Sequence, residues 1–99
     1  MTTLHVISSS PFSDNRLSSC LRLLGHGDGL LLCGDGTYAA QPGTSHAEAL
    51  RALGEGIALF ALDEDLEARG LPSADWLQQI DYPGFVALAV RFDKVNSWL

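Results

Sequence analysis

The stretch LLLCGDGTYAA, Leu30 to Ala40, decides the fold. Its first four residues are apolar without a break. A run that short and that unbroken is a strand buried on both faces, as in the interior of a parallel sheet. Gly34, Asp35 and Gly36 end it, and Tyr38–Ala39–Ala40 either continues extended or opens another short element. The turn that feeds it is GHGDG, Gly25 to Gly29.

Working outward, the same signals recur. Upstream, Leu4–Ile7 is a short apolar run that reads as a strand, broken by SSSPFSDN with Pro11 as punctuation. A helix follows, with Ser13 or Asp14 able to cap it and Gly25 in the position that stops it. Downstream, Thr44 or Ser45 can cap a helix running to about Leu53, with Gly54 and Gly56 bracketing its end. Ile57–Leu62 is a second buried strand. DEDLEARG is a short helix, with Asp63 as cap, Glu64 and Asp65 in its positive first turn and Gly70 closing it. Trp76–Ile80 supplies a fourth strand. The last helix sets Phe85, Leu88 and Phe92 on one face, with Pro83 tolerated in its first turn. The tail DKVNSWL shows no clear period and ends in an apolar pair, Trp98 and Leu99.

Strand and helix thus alternate about four times. Alternation of this kind predicts an α/β domain with a mainly parallel, four- or five-stranded sheet between helices. Val6, Leu30, Leu32, Ile57 and Leu59 are the expected core of the sheet. At 99 residues the chain makes one domain, 1–99, and a small sheet leaves edges that a partner subunit can cover.

Composition excludes several functions. The formal charge is −6, and the six Lys and Arg form no cluster, so there is no basic patch for direct nucleic-acid binding. No segment reaches the roughly 20 apolar residues of a membrane span. The N-terminus lacks the basic region of a signal peptide, which leaves a cytoplasmic chain as the expectation, with two reduced thiols.

The candidate chemistry is sparse. In open α/β sheets, ligands sit beyond the C-terminal ends of the strands. The loops SSSPFSD, CGDGTY and LDEDLE fall there. The first places hydroxyls before a helix N-terminus but has no glycine for close approach to a phosphate, and the glycines of GHGDG precede a strand, the wrong order for a dinucleotide or P-loop motif. His5, His26 and His46 make no metal-ligand pair, so no metal is expected; His5 reads as a core residue. Ser8, Ser9 and Ser10 lack a nucleophile elbow. Tyr38 either lines the ligand side or packs under its loop. Trp98 either anchors a partner or folds back onto its own core. The acidic run reads as a solvated helix cap.

The two cysteines remain. Cys33 ends an all-apolar strand and reads as buried. Cys20 lies about 60° from Leu17 at 100° per residue, on the edge of a stripe made by Leu17, Leu21 and Leu24. Arg16, one turn earlier, can stand beside it and favour its thiolate. Cys20 is therefore either apolar filler or the more exposed and more reactive thiol.

Several stretches together resemble the TusB/DsrH family. They are LHVISSSPFSDNRLSSCLRLL, LLLCGDGTYAA, ALDEDLEARGL and IDYPGFVALAVR, and with Trp98 they span nearly the whole chain. The resemblance implies a DsrE-like, flavodoxin-like three-layer fold without organic cofactor or metal. It implies assembly with TusC/DsrF-like and TusD/DsrE-like subunits in a heterohexamer. It further implies passage of persulfide sulfur to a TusE/DsrC-like acceptor, for 2-thiouridine in tRNA wobble bases or, in the Dsr branch, for sulfur oxidation. The principal sulfur-carrying cysteine of the family belongs to the TusD/DsrE subunit. DsrH-type members carry a cysteine in the first helix, and Cys20 matches that position as a candidate persulfide carrier. The reading from another class is a flavodoxin-like small-ligand module.

Overall fold

The computed structural model describes residues 1–53 and 56–98. Gly54, expected to bracket a helix end, and Leu99 of the terminal apolar pair lie outside them. Five strands and four α-helices alternate: β1 Thr3–Ile7, α1 Arg16–Leu23, β2 Gly29–Leu32, a 3-10 segment Gly34–Ala40, α2 Ser45–Arg51, β3 Ala58–Leu62, α3 Asp63–Ala68, β4 Gln78–Ile80, α4 Tyr82–Arg91 and β5 Lys94–Trp98. The sheet order is β4-β3-β2-β1-β5, and every pairing is parallel. The expected parallel sheet is therefore present, with five strands.

This order dictates the layers. The steps from β1 to β2, β2 to β3 and β3 to β4 all move the same way across the sheet. Right-handed crossovers put the intervening helices on one face. The step from β4 to β5 runs back across the whole sheet and carries α4 over the other face. The core divides accordingly. Ile7, Leu30, Leu32 and Ala61 pack under α1, α2 and α3 with Leu17, Cys20, Leu50 and Leu66. Leu4, Val6, Leu31 and Phe60 pack under α4 with Leu88, joined by the half-buried Phe85 and Phe92. The unbroken apolar runs have this physical cause: both faces of β1 and β2 are covered, and each fully buried Leu contributes about 1.5–3 kcal/mol.

The local signals place most ends. Thr44 accepts the Ala47 amide at 3.2 Å, and Asp81 accepts the Gly84 amide at 2.8 Å, each a helix N-cap. Gly70, with φ +64, closes α3. Three expectations are corrected. Asn15, not Ser13 or Asp14, occupies the cap position of α1 and makes no side-chain bond there. Asp14 instead accepts the Arg16 amide at 3.0 Å. Gly25 follows the cap residue Leu24, in the C′ position expected of it, without entering the left-handed region; its amide is held by Asp28. Asp63 is the first helical residue of α3, and Leu62 precedes it as cap. Ile57 and Leu59 are only half-buried, because β3 enters the sheet with its first residues toward the edge of the core.

β5 is the element that no periodicity announced. It flanks β1 on the outer edge, with His5 beside Asn96 and Ile7 beside Trp98. Only Trp98 in it is shielded, and only partly. Backbone pairing with β1 and side-chain ties at both ends hold it. At one end Asp93 accepts the Thr2 amide at 2.9 Å.

Candidate functional site

Three loops meet at the C-terminal ends of β1, β2 and β3, as the strand order requires. Cys33 leaves β2 and its amide donates to the Ile7 carbonyl at 3.0 Å. Gly34 follows with φ +52, and its amide donates to Asp65 Oδ2 at 2.8 Å. Gly36 lies so close to β1 that a Cβ there would run into the Ile7 carbonyl oxygen. Thr37, fully buried, donates from its hydroxyl to the Gly34 carbonyl at 2.7 Å. The run GDGTYAA is thus a 3-10 segment clamped between β1 and α3, and its two glycines are there for a turn and for a close approach.

Arg69 completes this edge. Its guanidinium donates twice to Asp35 Oδ1, at 3.2 and 2.9 Å, and once to the Asp65 carbonyl at 3.2 Å. It also stands over the Tyr38 ring, 5.8 Å from the centroid. Tyr38 is half-buried under this cation, which is the packing role weighed for it. The acidic run is more than a solvated cap, because Asp65 ties α3 to the loop after β2. An acid in the first turn of a helix that directly follows a strand faces the neighbouring strand's loop, and that spacing was the available signal.

Cys20 lies elsewhere. It sits in the middle of α1 with none of its surface exposed, facing the sheet beside Leu17. The expected partial exposure at the stripe edge is overturned. Arg16, expected to support its thiolate, is paired with Asp14 at 2.7 Å. Burial, and then the charge of Asp28, push the Cys20 thiol up to about 12. Cys33 is the half-exposed thiol, the reverse of the expected order. Burial and Asp65 raise its pKa as well, with Arg69 pulling against them. The charges acting on the two thiols come from different clusters, Asp28 for one and Asp65 with Arg69 for the other.

Asp28 belongs to a buried polar chain that begins at the N-terminal end of β2. Its two oxygens accept the Thr3 and Gly25 amides, each at 2.9 Å. Oδ2 also lies 3.7 Å from His5 Nε2. On the other side of the same ring, His5 Nδ1 accepts from the Trp98 indole at 3.1 Å. His5 is therefore a satisfied core histidine, as its place in the first strand suggested. Trp98 folds back onto its own core, one of the two alternatives open for it. Burial raises the pKa of Asp28, but the two amides and His5 outweigh it, and the net direction is down.

A recess of about 110 Å³ opens between Ala40, Ala47, Arg51 and Trp76, and neither cysteine lines it. Among the described residues no three His, Cys, Asp or Glu side chains converge as a metal site would need, and no helix is long and apolar enough to cross a membrane.

Comparison with known proteins covers the whole of this arrangement. The family model described as DsrH like protein matches residues 9–95. The chain is 43% identical to Protein TusB of Erwinia tasmaniensis over 97 residues, which is 96% of this chain and 99% of that one. It is 40% identical to Protein TusB of Escherichia coli over the same length and coverage. Among solved structures, the ychN protein from E. coli superposes with a TM-score of 0.71 over 99% of this chain and all of that one, at 19% identity. A protein of unknown function from Methanobacterium thermoautotrophicum gives 0.70 over 96% of each chain, at 13% identity. These two likenesses bear on the fold alone.

Proposed function

The chain belongs to the DsrH-like family, and from that membership we propose that it is a subunit of a sulfur-relay complex of the TusBCD type. The observation that carries this reading is its 43% and 40% identity, over nearly full length, to proteins named TusB. The named relatives favour the Tus branch, in which persulfide sulfur moves to a TusE/DsrC-like acceptor for 2-thiouridine synthesis on tRNA, over the sulfur-oxidation branch. The complex is cytoplasmic, and the chain meets TusC/DsrF-like and TusD/DsrE-like subunits rather than the tRNA, consistent with a charge of −6.

Within that complex its role is chiefly architectural. Cys20 is the candidate persulfide carrier. Its chemistry is the attack of the Cys20 thiolate on the outer sulfur of a donor persulfide: a new S–S bond forms on Cys20, the donor S–S bond breaks, and the electron pair leaves on the donor thiolate. A thiol with no exposed surface and a pKa near 12 does this only when α1 lifts from the sheet. Loading of Cys20 is therefore slow and depends on partner contact.

Co-expression with TusC-type and TusD-type subunits, followed by size measurement with light scattering, tests the assembly. A discrete hetero-oligomer is expected, and a chain that ignores both subunits overturns the reading. Persulfide mapping in the complex tests the thiol. Cys20→Ser abolishes loading of this subunit while the TusD-type subunit still loads; unchanged loading removes Cys20 from the relay.

A further inference from the structure

His5 is a buried titratable side chain with no part in thiol chemistry, and its two nitrogens meet opposite partners. Nδ1 accepts the Trp98 indole N–H at 3.1 Å, and Nε2 lies 3.7 Å from Asp28 Oδ2. A neutral imidazole accepts at one nitrogen, whereas an imidazolium donates from both. A proton added to His5 therefore lands on Nδ1 and sets one N–H against another. Flipping the ring restores no acceptor. Nor does the indole hold the cation by its face, because it presents its N–H edge, the positive rim of an aromatic ring.

The surroundings let that proton enter the folded chain. Burial opposes the charge of Asp28, but the Gly25 and Thr3 amides and His5 outweigh it, so the carboxylate stays ionised in mild acid and attracts an imidazolium. The other neighbours bring no second carboxylate. β2, on one side of His5, has no ionisable residue. β5, on the other side, places Asn96 beside His5, with exposed Lys94 two residues away on the same face. From α1, Cys20 faces the sheet with its thiol pushed up to about 12 and so neutral, while Arg16 and Arg22 are exposed. His26, in the turn with Asp28, is exposed as well.

Of the two bonded partners, Trp98 is the one free to move. His5 belongs to β1, paired on both sides, while Trp98 ends an edge strand with four of its five residues exposed. We infer that His5 and Trp98 form a pH-operated latch, in which protonation of His5 breaks the indole bond and frees the end of β5 from β1. The bond exists only with neutral His5. What it contributes is therefore present above the histidine titration and lost as pH falls through it. Release uncovers the outer edge of β1 beside Val6 and Ile7. The latch uses neither cysteine nor a partner subunit, so it stands or falls apart from the relay reading.

Hydrogen exchange followed by NMR on the whole chain, from about pH 8 to about pH 5, tests it. After correction for the intrinsic pH dependence of exchange, protection of the Trp98 indole and of the paired β5 amides falls about tenfold or more toward acid. The midpoint coincides with proton uptake at the His5 nitrogens, and Leu30–Leu32 keep their protection. His5→Gln offers a side-chain carbonyl that does not titrate, and the pH dependence disappears; circular dichroism checks the fold. Trp98→Phe is the open latch, with low β5 protection at both ends of the range. Protection that stays level, or a His5 ring still neutral at the acid end, overturns the inference. So does a midpoint that follows His26 or His46, a pH dependence that survives either substitution, or a loss shared equally by Leu30–Leu32.

Discussion

The indole Nε1 of Trp98 donates to His5 Nδ1 at 3.1 Å across 93 residues of sequence, joining the last described residue of the chain to its first strand. Because Nδ1 accepts, the neutral imidazole carries its proton on Nε2, toward Asp28. The expected result is an Nε2–H tautomer by nitrogen NMR. Trp98→Phe strands the Nδ1 acceptor at a site only 5% exposed and costs about 1–3 kcal/mol of unfolding free energy in urea. A variant with wild-type stability would show that β5 is held by backbone pairing alone.

Alkylation separates the thiols. Cys33 is half-exposed and Cys20 has no exposed surface and a pKa near 12. Iodoacetamide at pH 8 labels Cys33 first, and Cys20 follows at least tenfold more slowly, as the rate is set by opening of α1. Mass mapping reads the order. Equal rates in the folded chain would contradict the packing of α1.

Asp28 gives a pH dependence with a definite sign. Its folded pKa is depressed, so the stability it contributes is present above the unfolded value of about 3.9 and is lost as pH falls through the folded value. Asp28→Asn keeps one acceptor oxygen where two amides need one each, and costs about 1–3 kcal/mol at pH 7. Below about pH 4 the gap between the two proteins narrows. Urea unfolding at pH 7 and pH 3 checks this; an equal difference at both would put the Asp28 contribution outside its ionised form.

Gly36→Ala forces a methyl group onto the Ile7 carbonyl oxygen, which is backbone and cannot rotate away. The clash displaces the loop from β1 and destabilises by about 1–3 kcal/mol. Thermal unfolding measures it. An unshifted midpoint would mean that the 3-10 segment moves freely.

The buried strands were legible in the sequence because both their faces are covered, which erases alternation and leaves runs such as Leu30–Leu32. β5 was not, because four of its five residues are exposed and its order comes from β1 rather than from its own side chains. The burial of Cys20 departs from its helical angle for a related reason. The stripe through Leu17, Leu21 and Leu24 is centred off the true inner face. Of the eight residues of α1 only Leu17 and Cys20 are buried against the sheet, while Leu21 and the cap residue Leu24 are half-buried. Periodicity gives the axis of a short helix poorly, since two turns contain too few apolar residues to fix its centre. The clamp between Asp65 and the Gly34 amide was beyond reach for another reason: it joins residues 31 apart that only the sheet order brings together.

The position of β1 between β2 and β5 has a consequence for synthesis. Its partner on one side is made within the next twenty-odd residues, and its partner on the other, β5, is the last of the five described strands in chain order. Until then the outer edge of β1 offers unpaired backbone groups at Leu4 to Ile7, the most apolar stretch of the N-terminus. Until β5 is made and docks, β1 is an open sheet edge, and a product truncated before Lys94 presents that edge to chaperones and proteases rather than a finished sheet.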